Sequence, residues 1–163
     1  MFLKNKLTAG QFINYSGEMI IMRDAAHKRI YDFYKNNKEI PVSLKDKIIF
    51  YAGPAKKPEG KIIGSIGPTT SNRMDSYLET MYQLGIKATV GKGNRNNFVS
   101  ELNKKYGKNY YICPSGAAAA LSEKIEKYEI IAFKDLGAEA IQKIEVTDFP
   151  LIVAIDEYGE SIY

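Results

Sequence analysis

Tryptophan is absent from these 163 residues, and cysteine and histidine occur once each, as Cys113 and His27. A lone cysteine excludes an intramolecular disulfide framework and points to a reducing, cytoplasmic setting. It also excludes a metal or iron-sulfur site built by this chain alone, since such clusters take about three or four thiolates and zinc about four Cys, His or carboxylate ligands. No apolar run approaches the roughly 20 residues that cross a bilayer, and no apolar signal core follows the basic start Met1-Phe2-Leu3-Lys4-Asn5-Lys6. Charge of one sign is not concentrated either. The 23 Lys and Arg exceed the 19 Asp and Glu by only four, and the acids are spread among them. The densest basic patches, Lys35 to Glu39 and Lys104 to Lys108, read as solvated helix ends, so nucleic acid is not expected as a partner. There is no internal repeat, low-complexity tract or linker. With 45% hydrophobic residues the chain suits one domain, residues 1–163, around a single core.

What is present alternates between strand-like and helix-like stretches. A β-like run extends from Phe12 to Met22. Asp24 then caps a helix with Ala26, Ile30 and Phe33 at helical spacing, closed by Asn36-Asn37. Ile48 to Tyr51 is a strand stopped by Gly53-Pro54, and Ala55 to Gly60 is a loop. Lys61 to Ile66 reads as another strand, followed by the turn Gly67 to Asn72. A helix from Arg73 buries Met74, Tyr77, Leu78, Met81 and Leu84 and stops at Gly85. Strand, polar loop and helix then recur as Lys87 to Val90, Gly91 to Asn94 and about Arg95 to Tyr106. They recur again as Tyr110 to Ile112, Pro114 to Gly116 and Ala117 to Ile125. Strands at Tyr128 to Phe133, Ile141 to Val146 and Leu151 to Ile155, with a helical turn near Ala138, finish the chain. The expected class is α/β with a mixed sheet or a second small sheet.

In such folds ligands sit beyond the carboxyl ends of the strands, where helix N-termini present unpaired N–H groups. Three glycine-bearing loops fall there: Gly67-Pro68-Thr69-Thr70, Gly91-Lys92-Gly93-Asn94 and Ser115-Gly116. The first places the hydroxyls of Thr69 and Thr70 beside Arg73, whose guanidinium can grip a carboxylate or phosphate by two parallel hydrogen bonds. The plain alternative is a Gly-Pro turn with Thr69 to Asn72 as capping residues. Lys92 between two glycines offers close backbone approach and a positive charge, or is a solvated lysine in a tight turn. The spacing is not that of a Walker loop, which disfavours a nucleoside triphosphate. Arg23, at a strand-to-helix junction, is a third cation on the same edge. His27 reads as a hydrogen-bonded packing residue, Cys113 as a buried thiol, and Gly116 with the alanines after it as close helix packing.

Arg23-Asp24-Ala25-Ala26-His27-Lys28-Arg29, Tyr51-Ala52-Gly53-Pro54, Gly67-Pro68-Thr69-Thr70-Ser71-Asn72-Arg73-Met74-Asp75-Ser76-Tyr77, Gly91-Lys92-Gly93 and Asp148-Phe149-Pro150 occur in order across most of the chain. Together they resemble the beta subunit, or C-terminal domain, of the class I fumarase and L-tartrate dehydratase family of iron-sulfur hydro-lyases. The pattern departs at Gly10-Gln11 and at Tyr158-Gly159-Glu160.

The resemblance implies a swivelling β/β/α domain and a hetero-oligomer in which an alpha subunit carries the 4Fe-4S cluster on its own three cysteines. It implies an active site between the two parts and reversible anti addition of water to a four-carbon dicarboxylate, with the open cluster iron acting as Lewis acid on the hydroxyl. Matched motif to motif, Arg23, Arg73 and Lys92 bind the substrate carboxylates with Thr70 beside them, and Thr69 is the candidate base. Fumarate hydration is the first expectation. L-tartrate dehydration is the alternative within the class, and a non-catalytic anion-binding module is the alternative outside it.

Overall fold

In the computed structural model, which describes residues 6–114 and 118–163, the four strands that lead into the candidate loops lie parallel and side by side. They are β1 (Phe12–Ile21), β2 (Ile48–Phe50), β3 (Ala88–Gly91) and β4 (Asn109–Ile112), paired in that order. The last strand, β6 (Ile141–Ile155), runs antiparallel and closes the sheet. Its Ile152 pairs with Phe12 of β1 on one side and with Ile112 of β4 on the other. β5 (Ile125–Ala132) pairs with the first half of β6 only.

Closure explains how two antiparallel runs at the chain's end are a single strand. Sequence periodicity breaks at Thr147-Asp148, both exposed, and so suggests two elements. The backbone instead turns locally, with Asp148 at φ +50° and its N–H donating to Ser16 Oγ at 2.9 Å. The opposing strand shifts register at Tyr15/Gly17. This bulge bends β6 so that one half faces β5 and the other β4.

Side-chain alternation splits the interior in two. Met19, Ile21, Ile48, Phe50, Ala88, Val90, Tyr111, Ile144, Phe149 and Leu151 point into the space that the bent sheet encloses. Ile20, Met22, Ile49, Tyr51, Tyr110 and Ala154 point outward beneath the helices. Those helices are α1 (Asp24–Lys35), α2 (Asp75–Gln83) and α3 (Phe98–Tyr106), and they cover the outer face with Ala26, Ile30, Leu78, Met81 and Val99. The order of layers is β/β/α, in one mixed α/β sheet.

Four sequence expectations need correction. Lys61 to Ile66 is not a strand: β2 is already flanked by β1 and β3, and the segment makes no ladder with the free edge of β5 either. The segment folds back on Ala55, whose N–H donates to the Ser65 carbonyl at 2.8 Å, and it buries Ile63 and Ile66 while leaving Ile62 exposed. Asp24 does not cap α1: Arg23 occupies the N-cap, and Asp24 is the first helical residue. The helix expected from Arg95 begins at Phe98, since Arg95 is drawn under the loop. Finally, the helix expected over Ala117 to Ile125 is a short α4 (Ala118–Ser122), and Ile125 already opens β5. Ser115, Gly116 and Ala117, which include the third candidate loop, lie outside the described residues. Among the described residues no helix is long and apolar enough to cross a membrane.

Candidate functional site

Parallel strands deliver their carboxyl ends to one edge, and β1, β2 and β3 place Arg23, Gly53 and Lys92 there just beyond their last paired residues. Neighbouring strands are about 4.8 Å apart, so the backbones carrying Arg23 and Lys92 are separated by about 10 Å, with β2 between them. The Gly67 to Thr70 loop does not leave a strand, contrary to expectation. It returns to this edge at the end of the long connection after β2. Pro68 bridges to Ala52, Thr70 bridges to Lys92, and the Thr69 N–H donates to the Tyr51 carbonyl at 2.7 Å.

Arg73 lies in a 3-10 turn, Ser71–Met74, that leads into α2. Its Nη2 donates to Thr69 Oγ1 at 2.9 Å and stands 3.4 Å from Asp24 Oδ2. Guanidinium, hydroxyl and carboxylate therefore form one half-exposed cluster. Arg23 lies across Gly53, where an added Cβ would come within 2.7 Å of Nη1. Arg23 Nε is buried without a hydrogen-bond partner among the described residues. Lys92 is exposed, and neither it nor Arg23 makes a salt bridge among the described residues. Three cations face two carboxylates here, Asp24 and Glu139, whose Oε1 accepts the Ala25 N–H at 3.5 Å, and the edge keeps a net positive charge. All five predicted site residues, Arg23, Thr69, Thr70, Arg73 and Lys92, are thus brought to one edge.

Of the glycines around Lys92, Gly91 serves the loop's own packing, whereas Gly93 has open space around it and a positive φ of +82°. A Cβ on Gly91 would sit 1.8 Å from Ser71 Oγ and 3.0 Å from the Tyr51 ring. Ser71 Oγ accepts the Lys92 N–H at 3.0 Å, while the Ser71 N–H donates to the Lys92 carbonyl at 3.0 Å. Gly91→Ala should therefore push these two segments apart. Overpacking of this kind costs about 1–3 kcal/mol, and a lower urea midpoint with an unchanged slope is the expected reading.

His27 is fully buried, edge-on to Tyr51 with ring centroids 5.4 Å apart. Its Nδ1–H donates to the Arg23 carbonyl at 2.7 Å and so ties the corner that carries Arg23. Burial pushes its pKa down to about 4, against the smaller upward pull of that hydrogen bond. It is a packing residue, not a base. An unfolded histidine titrates near 6.5, so the unfolded chain binds the extra proton between that value and about 4. Stability from this group is therefore complete above about pH 6.5 and declines as pH falls through that window, by about 3 kcal/mol in all. Urea midpoints measured from pH 7 to pH 4 should fall in the wild type, and the slope should flatten in His27→Gln. Burial likewise pushes the Cys113 thiol up to about 12, which makes it inert.

Periodicity carried no signal for what lies beneath the loops. Arg95 and Asp75 are both buried and joined through Arg95 Nε and Asp75 Oδ1. Asp75 Oδ2 accepts the Asn96 N–H and Asn96 Nδ2, each at 2.8 Å. In the sequence Arg95 reads as a helix start and Asp75 only as part of a motif. The contact between Asp24 and Arg73 was also missed, because it joins segments about fifty residues apart in a way that no spacing reveals.

The chain is thus an α/β domain with a cationic edge at the ends of its parallel strands. The sequence pattern of the fumarase C-terminus family matches residues 4–163, and the chain belongs to that family. Fumarate hydratase 2 of Leishmania major is 41% identical over 156 residues, which are 94% of this chain and 28% of that protein. Aerobic class I fumarate hydratase of Escherichia coli K12 is 40% identical over 153 residues, 93% of this chain and 28% of the other. The L(+)-tartrate dehydratase subunit beta of Escherichia coli K12 is 34% identical over 161 residues, 96% of this chain and 79% of that subunit. The chain thus spans little more than a quarter of the fumarate hydratases it matches, but most of a beta subunit.

Proposed function

We propose that this chain is the substrate-holding beta part of a two-subunit iron-sulfur hydro-lyase that interconverts fumarate and (S)-malate. The observation that carries the reading is the charge at the edge: Arg23 after β1, Lys92 after β3 and Arg73 in the turn before α2 outnumber the carboxylates beside them, and so complement a dicarboxylate in sign. Arg73 and Lys92 reach the edge from opposite sides of the Thr70 bridge and Arg23 from the end of β1, so two carboxylates can be held at separate points. Thr70, exposed between them, adds a hydroxyl.

Thr69 is placed as the base. A free alcohol is a poor base near neutral pH unless its alkoxide is stabilised. Here the hydroxyl oxygen accepts a charged N–H from Arg73, which is the polarity an alkoxide needs. In the dehydrating direction Thr69 Oγ1, as the alkoxide, takes the C3 proton of malate and becomes the neutral hydroxyl. The C3–H electron pair forms the C2=C3 double bond, and the C2–O bond breaks to release hydroxide, a departure that a Lewis acid on the partner would ease. Arg73 then stabilises both the substrate carboxylate and the oxygen beside it.

The chain's own residues do not fit the cluster. Among the described residues no group of three His, Cys, Asp or Glu could hold a metal ion, and the edge offers hydroxyls and cations. The cluster is placed on an alpha partner. Coverage of 79% of a protein named as a subunit supports a partner chain. That same relative favours a second reading, L-tartrate dehydration with the same clamp.

The test is anaerobic co-expression with the candidate partner, cluster quantitation, and assay of the complex with fumarate, (S)-malate and L-tartrate. Preference for L-tartrate replaces the first reading with the second. A chain that takes no partner and binds phosphate compounds but no dicarboxylate is an anion-binding module instead.

A further inference from the structure

We propose that Asp75 and Arg95 are positioning residues that set the separation between Arg73 and Lys92. Arg73 precedes Asp75 by two residues and Lys92 precedes Arg95 by three, so each exposed cation is followed closely by one member of a buried pair. Arg95 also holds the strands that end at the edge. Its Nη1 donates to Thr89 Oγ1 of β3 at 3.2 Å, and its Nη2 donates to the Tyr51 hydroxyl, just beyond β2, at 3.4 Å. Its guanidinium carbon lies 4.6 Å from the Tyr110 ring centroid and 5.3 Å from that of Tyr51. The Tyr110 hydroxyl continues the network, within hydrogen-bond reach of Ser71 Oγ at 2.9 Å and the Gly93 carbonyl at 2.8 Å. One planar fork thus fixes the segments that carry Thr69, Arg73 and Lys92.

Packing alone does not require this chemistry. A buried ion pair replaced by well-packed apolar residues often leaves stability unchanged or raised. What a fully partnered buried network supplies is a unique arrangement of the segments it joins, and a lysine cannot reproduce the fork of Arg95. The proposal rests on the dicarboxylate reading above, since positioning two cations matters only if both hold one small anion.

The experiment uses the complex of this chain with its partner and compares wild type with Asp75→Leu/Arg95→Met and with Arg95→Lys. Amide exchange is followed by mass spectrometry, and kcat and KM are measured with fumarate and (S)-malate. The expected result is a thermal midpoint within about 4 °C of wild type and exchange at least about tenfold faster in residues 69–74 and 91–96, with β1 and β2 unchanged. Misplacement of this size lowers kcat/KM by about a hundredfold. Unchanged exchange in the two segments, or unchanged kcat/KM despite loosened segments, overturns the proposal. Loosening of the whole sheet in both variants overturns it too, because the pair is then only a folding element. If the apolar pair does not fold, Arg95→Lys decides alone by the same readings. A wild-type complex that turns over no dicarboxylate defeats the reading above, whereas the exchange data still decide whether the pair fixes the two segments.

Discussion

Phe149→Ala is expected to cost about 3–5 kcal/mol, a large share of the 5–15 kcal/mol that holds a domain of this kind together. Phe149 is fully buried at the centre of the space enclosed by the sheet. Its ring meets that of Phe50 edge-on, with centroids 5.7 Å apart and planes at 74°. Truncation removes both the buried area and an aromatic pair worth about 0.5–1.5 kcal/mol beyond area. It also leaves a cavity between strands on opposite walls, β2 and β6, which cannot collapse without breaking the ladders that close the ring. Phe149→Leu, which refills most of the volume, should cost far less. Urea denaturation of the two variants checks this: equal losses would mean that the enclosed core tolerates a void. Although Asp148-Phe149-Pro150 belongs to the set of motifs that carries the resemblance, it bends β6 and fills the inner core.

That motif shows where sequence reading succeeds and where it stops. Strands β2 and β3 were legible because parallel strands buried on both faces produce short apolar, β-branched and aromatic runs such as Ile48 to Tyr51, each with a glycine at or just beyond its end. Helix α2 was legible because Met74, Leu78 and Met81 repeat at helical spacing and all are fully buried. Closure of the sheet was not, since nothing local distinguishes a bent β6 from two strands with a turn between them. For the same reason Lys61 to Ile66 was misread. Its Ile63 and Ile66 fill the inner core from a loop, and a buried isoleucine in a loop looks the same in the sequence as one in a strand. At the site, Lys92 and Arg73 were legible because they stand in or just after glycine-marked loops, and Arg23 because it lies at a predicted strand-to-helix junction. The buried pair of Asp75 and Arg95 was hidden, because a charged residue in a loop looks the same whether it points to water or to a partner twenty residues away.

Thr69→Val in the assembled complex is expected to lower kcat by about a hundred to ten thousandfold, the usual contribution of a positioned acid-base group. The substitution keeps the β-branched shape and the backbone hydrogen bond to Tyr51, so stability should change by less than about 0.5 kcal/mol. What it removes is the oxygen to which Arg73 donates. If that oxygen takes the C3 proton, the loss falls on kcat and on kcat/KM together, because the interaction is realised in the transition state. Thr69→Ser, which keeps the hydroxyl, should restore most of the rate. If Thr69 only orients substrate, the effect is confined to KM and kcat stays near wild type. Arg73→Lys separates the remaining possibility. A lysine keeps the charge for the carboxylate but cannot bind it bidentately while also donating to Thr69. Loss of kcat in that variant, with modest change in KM, would place the Arg73 contact itself in the proton transfer, whereas a rise in KM alone would leave Arg73 as a clamp.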